Sequence, residues 1–241
     1  MTSCCPIVEL RQYTLHAHRR DVLIDLFERE FIESQEALGI SVIGQFRDRD
    51  DPNRFVWLRG FPGMAARGEA LAAFYGGKVW QAHREAANAT MLDSDNVLLL
   101  RPASGGSGFL LAERRDDKNS DAESVVVATI HYLDDEDVAD DFARFFAAAM
   151  LPTVVAAGGT ILATLATESA RNNFPRLPVR EDEPVFLWLC GFPDLVAYER
   201  FGMSLRRCDD WRAGASPKIL RQFMRKPEVL TLLPTRRSRL R

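Results

Sequence analysis

Histidine and cysteine, the residues from which most metal and redox sites are built, are scarce in this chain. It has four His (His16, His18, His83 and His131) and four Cys (Cys4, Cys5, Cys190 and Cys208) in 241 residues. No two Cys have C-x-x-C spacing. His16 and His18 share a turn with no third ligand beside them in sequence, short of a zinc pattern. Adjacent Cys4 and Cys5 bridge each other only under strain, so the four read as reduced thiols of a cytoplasmic protein. No apolar run approaches the roughly 18 residues of a membrane span, and no secretory signal opens the chain. A net charge of −3 is too small to imply nucleic acid or a membrane surface as partner. The phosphate-loop, dinucleotide and nucleophile-elbow signatures are also missing. Gly105-Gly106-Ser107-Gly108 lies in a linker, not at a strand–helix turn.

The remaining composition, 46% apolar and 27% charged, is that of an ordinary globular protein. Strand patterns cover Ile7–Leu15, Ile40–Arg47, Arg54–Phe61 and Asn96–Pro102, then Val125–Leu133, Thr160–Thr167, Val185–Gly191 and Glu228–Pro234. In the first strand Glu9, Arg11, Tyr13 and Leu15 share one face, and Val8, Leu10, Gln12 and Thr14 the other. An amphipathic helix of about five turns runs from Asp21 to Leu38, with Gly39 as its C-cap. Further helices are expected over Gly63–Tyr75, Val79–Thr90, Asp134–Ala157 (with Pro152 as a kink), Leu195–Arg207 and Pro217–Met224. Residues 104–123 read as a linker, whose less polar Phe109-Leu110-Leu111-Ala112 could dock on a neighbour. Residues 236–241 read as a basic, frayed tail.

The two halves repeat. Tyr13 and Tyr132, Phe27 and Phe146, and Gly39 and Gly158 each lie 119 residues apart; Trp57 and Trp188, Gly60 and Gly191, and Trp80 and Trp211 each lie 131 apart. The step between these offsets coincides with a Pro-rich loop through Asn172, Asn173, Pro175, Pro178 and Pro184. One localised insertion is what duplication leaves. The fold class is thus α+β: tandem β-α-β-β-α-β units of ferredoxin-like type, over residues 1–103 and 124–235. Each four-stranded sheet carries helices on one face and must cover the other. Packing the open faces together makes a barrel-like pseudo-dimer within one chain.

Val8-Glu9-Leu10-Arg11-Gln12-Tyr13, Gly44-Gln45-Phe46-Arg47-Asp48, Phe55-Val56-Trp57-Leu58-Arg59-Gly60-Phe61, and Phe74-Tyr75 with Trp80, His83 and Arg84 together resemble the NIPSNAP family. Asp93 to Pro102 extends the likeness, which covers nearly all of the first half. The resemblance implies the dimeric α/β-barrel superfamily, whose members include cofactor-free monooxygenases of aromatic polyketides, lactone isomerases, dehydratases and haem enzymes. Fold likeness alone assigns no reaction.

A duplicated scaffold needs similar core residues twice but a site only once. At the offsets above, Glu9 faces Ala128, Arg11 faces Ile130, Arg59 faces Cys190, Tyr75 faces Arg206, His83 faces Gly214 and Arg84 faces Ala215. The polar groups gather in the first half. If their strand face points into the barrel, Arg11 and Arg59 could hold a carboxylate or an enolate oxygen, with Tyr13 donating to a carbonyl. His83 is then the candidate catalytic acid or base. Trp57, Tyr75 and Trp80 would wall a flat ligand, with Arg84 beside them. Equally, Arg11 could simply pair with Glu9, and His83 with Arg84 could be a solvated or interface face. The expected function is therefore the binding of a small aromatic or enolisable molecule by a NIPSNAP-like barrel; the resemblance adds cofactor-independent monooxygenase or isomerase chemistry as an option, and whether the chain is an enzyme stays open. Its competitor is a non-catalytic binding or assembly protein that uses the barrel or its helices for protein–protein contacts; a homodimer or higher oligomer is a further expectation. No cofactor is expected; haem would need His83 or His131 as its axial ligand.

Overall fold

The alternation of apolar and polar residues in the first strand decides which side of the sheet becomes the interior. In the computed structural model, which describes residues 5–111, 123–209, 211 and 225–241, the first half runs β1 (Ile7–Leu15), α1 (Arg20–Leu26), a π-helical turn π1 (Phe27–Phe31), α2 (Ile32–Glu36), β2 (Ser41–Asp48), β3 (Arg54–Phe61), α3 (Met64–Gly76), α4 (Lys78–Asn88) and β4 (Met91–Pro102). The second half runs β5 (Val125–Tyr132), α5 (Glu136–Phe145), π2 (Phe146–Met150), α6 (Leu151–Ala156), β6 (Thr160–Thr167), β7 (Val185–Phe192), α7 (Leu195–Arg207) and β8 (Glu228–Pro234). The helix expected over Pro217–Met224 lies outside the described residues.

The eight strands close into one barrel in the order β1-β3-β2-β8-β5-β7-β6-β4. Two antiparallel seams join the halves. Phe46 to Asp48 pairs with Pro234 to Leu232, and Leu100 to Pro102 with Thr167 to Leu165. Closure leaves no free sheet edge. Val8 and Leu10 point inward and meet Val56, Leu58, Leu98, Leu100, Ala128, Ile130, Leu187, Leu189, Leu230 and Leu232. Each fully buried Leu or Val stabilises the fold by about 1.5–3 kcal/mol, and together these side chains fill the interior.

Two segments outside the strands complete that interior. Phe109 leaves the linker and is buried in the barrel core, where Leu240 joins it from the C-terminus. The tail is therefore fastened, not frayed. Arg237 donates from its backbone to Glu28 Oε1 at 2.9 Å and from Nη1 to the Glu28 carbonyl at 2.7 Å, and Ser238 is buried. An apolar residue and a set of helix carboxylates outweigh the fraying tendency of a basic terminus. A second correction concerns Cys5, which is buried and takes part in a disulfide; Cys190 and Cys208 are free thiols.

The helices cover the outer face of the sheet. Both long helical segments end on a glycine in the left-handed region, Gly39 at φ +80° and Gly158 at φ +97°, where a side chain costs roughly 1 kcal/mol. Each also carries its π-helical turn at the same place, so Phe27 packs on Trp57 at 4.8 Å and Phe146 on Trp188 at 5.4 Å. No helix among the described residues is long and apolar enough to cross a membrane.

Candidate functional site

Because Val8 and Leu10 take the interior, Glu9, Arg11 and Tyr13 point outward, under the helices. This corrects the expectation that the polar strand face lines the barrel. The interior is packed with aliphatic side chains, whereas the helix layer supplies polar partners. β3 repeats the pattern: Val56 and Leu58 point in, Trp57 and Arg59 out, and the register sets Glu9 opposite Arg59 and Arg11 opposite Trp57.

The centre of this layer is Glu9, completely buried with three guanidiniums around it. Its Oε2 accepts from Arg11 Nη1 at 2.7 Å and from Arg59 Nε at 2.8 Å; its Oε1 accepts from Arg67 Nε at 2.7 Å. Arg11, Arg59 and Arg67 are at most 1% exposed. Burial alone would raise the Glu9 pKa, but Arg59, Arg11 and Arg67 outweigh it and hold the carboxyl well below the usual carboxylate range. Burial likewise pulls Arg67 down, partly offset by Glu9, and pushes the Tyr13 phenol up. Among the described residues Glu9 is the one carboxylate paired with these three cations. The cluster therefore holds a formal surplus of two positive charges in a region from which water is excluded.

Aromatic rings surround the cluster. Arg59 lies over Trp57 at 5.0 Å and over Tyr75 at 6.0 Å. Arg11 lies over Tyr13 at 5.5 Å, and its Nε donates to the Tyr13 hydroxyl at 3.1 Å. Trp80 packs edge-on against Tyr75 at 4.8 Å. Several buried donors point into the same layer without a well-directed protein partner, namely Trp57 Nε1, Arg59 Nη2, Arg67 Nη2 and the Gln45 amide. Arg59 Nη2 lies 2.8 Å from Glu9 Oε2, close enough for ion pairing but not aimed along a hydrogen bond.

Of the residues expected from sequence, Arg11, Tyr13, Trp57, Arg59 and Tyr75 come together, and Trp80 adjoins them. His83 and Arg84 stand apart. His83 Nε2 is 3.4 Å from Glu30 Oε2 and its ring is 6.4 Å from Phe31; Arg84 is exposed. Both follow from helical spacing, which puts them on the outer flank of α4.

Four polar contributors escaped sequence reading. Arg67 completes the cluster from α3, and Gln35 Oε1 accepts from Arg59 Nη1 at 3.2 Å. Arg67 Nη1 donates to Asn172 Oδ1 at 3.0 Å and Asn173 Oδ1 at 2.7 Å. These two Asn belong to the insertion in the second half, which lies across the first. There Phe174 stacks on Tyr75 at 5.9 Å, and Leu177 packs beside it. A signal for Arg67 was visible, since it sits at i with Ala70, Leu71 and Phe74 at i+3, i+4 and i+7, a charge on an apolar stripe. For the asparagines there was none.

The observed register also corrects the internal alignment. Arg11 pairs with Trp57 as Thr129 pairs with Trp188. By this register Glu9 matches Val127, Arg11 matches Thr129 and Tyr13 matches His131, 118 residues apart rather than 119. A one-residue slip exchanges the two faces of a strand, so Tyr132 points inward where Tyr13 points outward. Arg59 still stands opposite Cys190.

His131 Nε2 accepts from Trp188 Nε1 at 3.2 Å, and the ε nitrogen of His83 faces Glu30. Among the described residues no three His, Cys, Asp or Glu side chains converge on a metal site.

Residues 8–105 match the family model for NIPSNAP. No curated protein matches the sequence. Three solved structures share the fold across nearly the whole chain. One, a proposed monooxygenase from Lactobacillus acidophilus, is 15% identical, with a TM-score of 0.58 over 95% of this chain and 94% of that one. A proposed monooxygenase from Fusobacterium nucleatum is 9% identical, with a TM-score of 0.59 over 95% and 92%. An anthrone oxidase-like protein is 12% identical, with a TM-score of 0.55 over 95% and 91%.

Proposed function

We propose that the helix-covered sheet face of this chain, whose residues 8–105 match the NIPSNAP family model, binds a small aromatic molecule that is anionic or becomes so by enolisation. The observation that carries this reading is the buried surplus of two positive charges around Glu9. Uncompensated buried charge is costly, and an anionic ligand would relieve it. Arg59, Arg67 and Trp57 offer donors for the oxyanion, and Trp57, Tyr75 and Trp80 offer ring faces. Glu9 is pinned by three guanidiniums and makes a poor base.

The cluster could therefore act on an enolisable substrate by its field, stabilising the enolate as it forms. The solved neighbours described as monooxygenases and as anthrone oxidase-like support the corresponding oxidation of an anthrone. An anthrone and dioxygen give an anthraquinone and water: the substrate supplies both electron pairs, its CH2 becomes C=O, and no external reductant is needed. In this scheme His83 lies outside the ligand shell. The wider picture is of two ferredoxin-like units that arose by tandem duplication, supported by the strand orders β4-β1-β3-β2 and β8-β5-β7-β6 and by the paired π-helical turns.

A second reading has its own observation. Glu9 has all its partners within the chain, and Arg67 is tied down by Asn172 and Asn173. A cluster satisfied in this way could be a structural keystone of a non-catalytic binding or assembly protein, including a homo-oligomer. Calorimetric titration with 1-hydroxy-2-naphthoate separates the two, alongside oxygen uptake with 1,8-dihydroxyanthrone. Arg59→Met and Arg67→Met, if folded by circular dichroism, should weaken binding at least about tenfold, the loss of about one charged hydrogen bond. His83→Ala should leave it unchanged. Equal affinity in wild type and both arginine variants contradicts the ligand reading and favours the keystone.

A further inference from the structure

The corrected register exposes a difference between the halves that lies outside the arginine cluster. Where the first half has Glu9, Arg11 and Tyr13, the second has Val127, Thr129 and His131. The helices α3 and α7 follow β3 and β7 at the same distance and have the same length, which sets Gly202 where the first half has the fully buried Leu71, and Leu205 where it has Phe74. Each of these exchanges removes side-chain volume or charge. The result is a cavity of about 680 Å³ between the sheet and α7, bounded by Val127, Thr129, His131, Trp188, Phe201 and Gly202 among the described residues.

We propose that this cavity is a second ligand site, one that takes a flat, uncharged ring system carrying a hydroxyl or carbonyl on one edge. The volume is within the usual range of small-molecule sites, roughly 300–1,000 Å³. Its deep walls are apolar or aromatic, which suits a ring. Among the described residues no charged side chain lies in its depth; Glu199, Arg206 and Lys226 line only the outer part and are exposed. An ionised ligand would thus lose its hydration without a buried counter-charge. Two polar side chains reach the depth, Thr129 at 8% and His131 at 7% exposure. The Trp188 Nε1 donor at 3.2 Å from His131 Nε2 fixes the imidazole so that Nε2 is the acceptor. Burial pushes His131 down to about 4, so the ring is neutral at neutral pH and adds no charge to the cavity. The site is independent of the anion reading of the first half.

Gly202 provides the test. A Cβ built there meets nothing closer than the Arg206 guanidinium nitrogens at 3.8 Å, so a larger side chain enters the cavity without striking backbone. The probe is 2-naphthol, uncharged at neutral pH, added to the full chain labelled with ¹³C at the methionine methyls. Met150 lines the cavity, while Met64 and Met91 belong to the first half. The expected result is a saturable shift of the Met150 resonance with Met64 and Met91 unmoved, and an affinity at least about tenfold weaker in Gly202→Phe, because the added ring occupies the ligand's place. If Gly202→Phe fails to fold, the wild-type Met150 shift together with weaker binding by Thr129→Val decides. A Met150 resonance that does not move at saturating 2-naphthol, shifts confined to Met64 and Met91, or undiminished affinity in the folded variants would overturn the proposal.

Discussion

Replacing Glu9 by Gln keeps the shape of the side chain and removes its charge, leaving three buried guanidiniums with no carboxylate. Each faces Glu9 at 2.7 or 2.8 Å in the native protein, and all are shielded from water. Breaking a buried ion pair by removing one partner costs about 3–5 kcal/mol. The three contacts share one carboxylate and are not additive, so roughly 4 kcal/mol is the working figure. For a chain of this length that lowers Tm by roughly 8–16 °C, measurable by differential scanning fluorimetry.

The pH dependence has a definite sign. The folded-state pKa of Glu9 is depressed, so its contribution is present above the unfolded value near about 4.3 and is lost as pH falls toward the folded one. Glu9→Gln should therefore flatten the acid limb of the wild-type stability curve. The variant also has a larger positive surplus, so 1-hydroxy-2-naphthoate should raise its Tm more than it raises that of the wild type. A Glu9→Gln Tm within about 2 °C of wild type, less than about 1 kcal/mol, would refute the reasoning that Glu9 compensates buried charge.

Other outcomes follow from neighbouring contacts. Leu240→Ala should cost about 2–5 kcal/mol in urea denaturation, since the side chain is buried in the barrel core. Phe174→Ala should destabilise by at least about 1 kcal/mol through the lost stack on Tyr75, and should speed limited proteolysis within the insertion. His131 is held near 4 in the fold, below its unfolded value of about 6.5. The unfolded state then binds the extra proton as pH falls through that window, and up to about 3 kcal/mol of stability is lost between them. A His131→Gln chain should show a shallower loss over the same range in pH-dependent urea melts.

Much of the fold could be read from the chain because its signals are local. The strand Arg54–Phe61 and the helix Leu195–Arg207 fall where alternation and helical spacing put them, and the closed barrel agrees with the need to cover a sheet's open face. The facing of the first strand was not legible. Both of its faces are buried, so hydrophobicity does not tell the barrel side from the helix side, and Tyr13 against Tyr132 suggested a register that the pairing with Trp57 and Trp188 corrects. Arg11, Arg59 and Tyr75, which the structure brings together, were legible because they differ from the residues at the matching positions of the second half. Asn172 and Asn173 were not, because their role depends on a loop reaching across more than 100 residues to Arg67, which no local pattern encodes. His83 was singled out for its chemistry, and its helix flank faces Glu30, apart from the cluster.

The central claim is that the buried arginine cluster, not the barrel interior, receives an anionic ring. A crystal structure of the full chain soaked with 1-hydroxy-2-naphthoate tests it most directly. The expected result is a carboxylate within hydrogen-bond distance of Arg59 or Arg67 on the helix side of the sheet, its rings against Trp57 or Tyr75. Density inside the barrel, or no ligand within hydrogen-bond distance of Arg59 or Arg67 at saturating concentration, would contradict it.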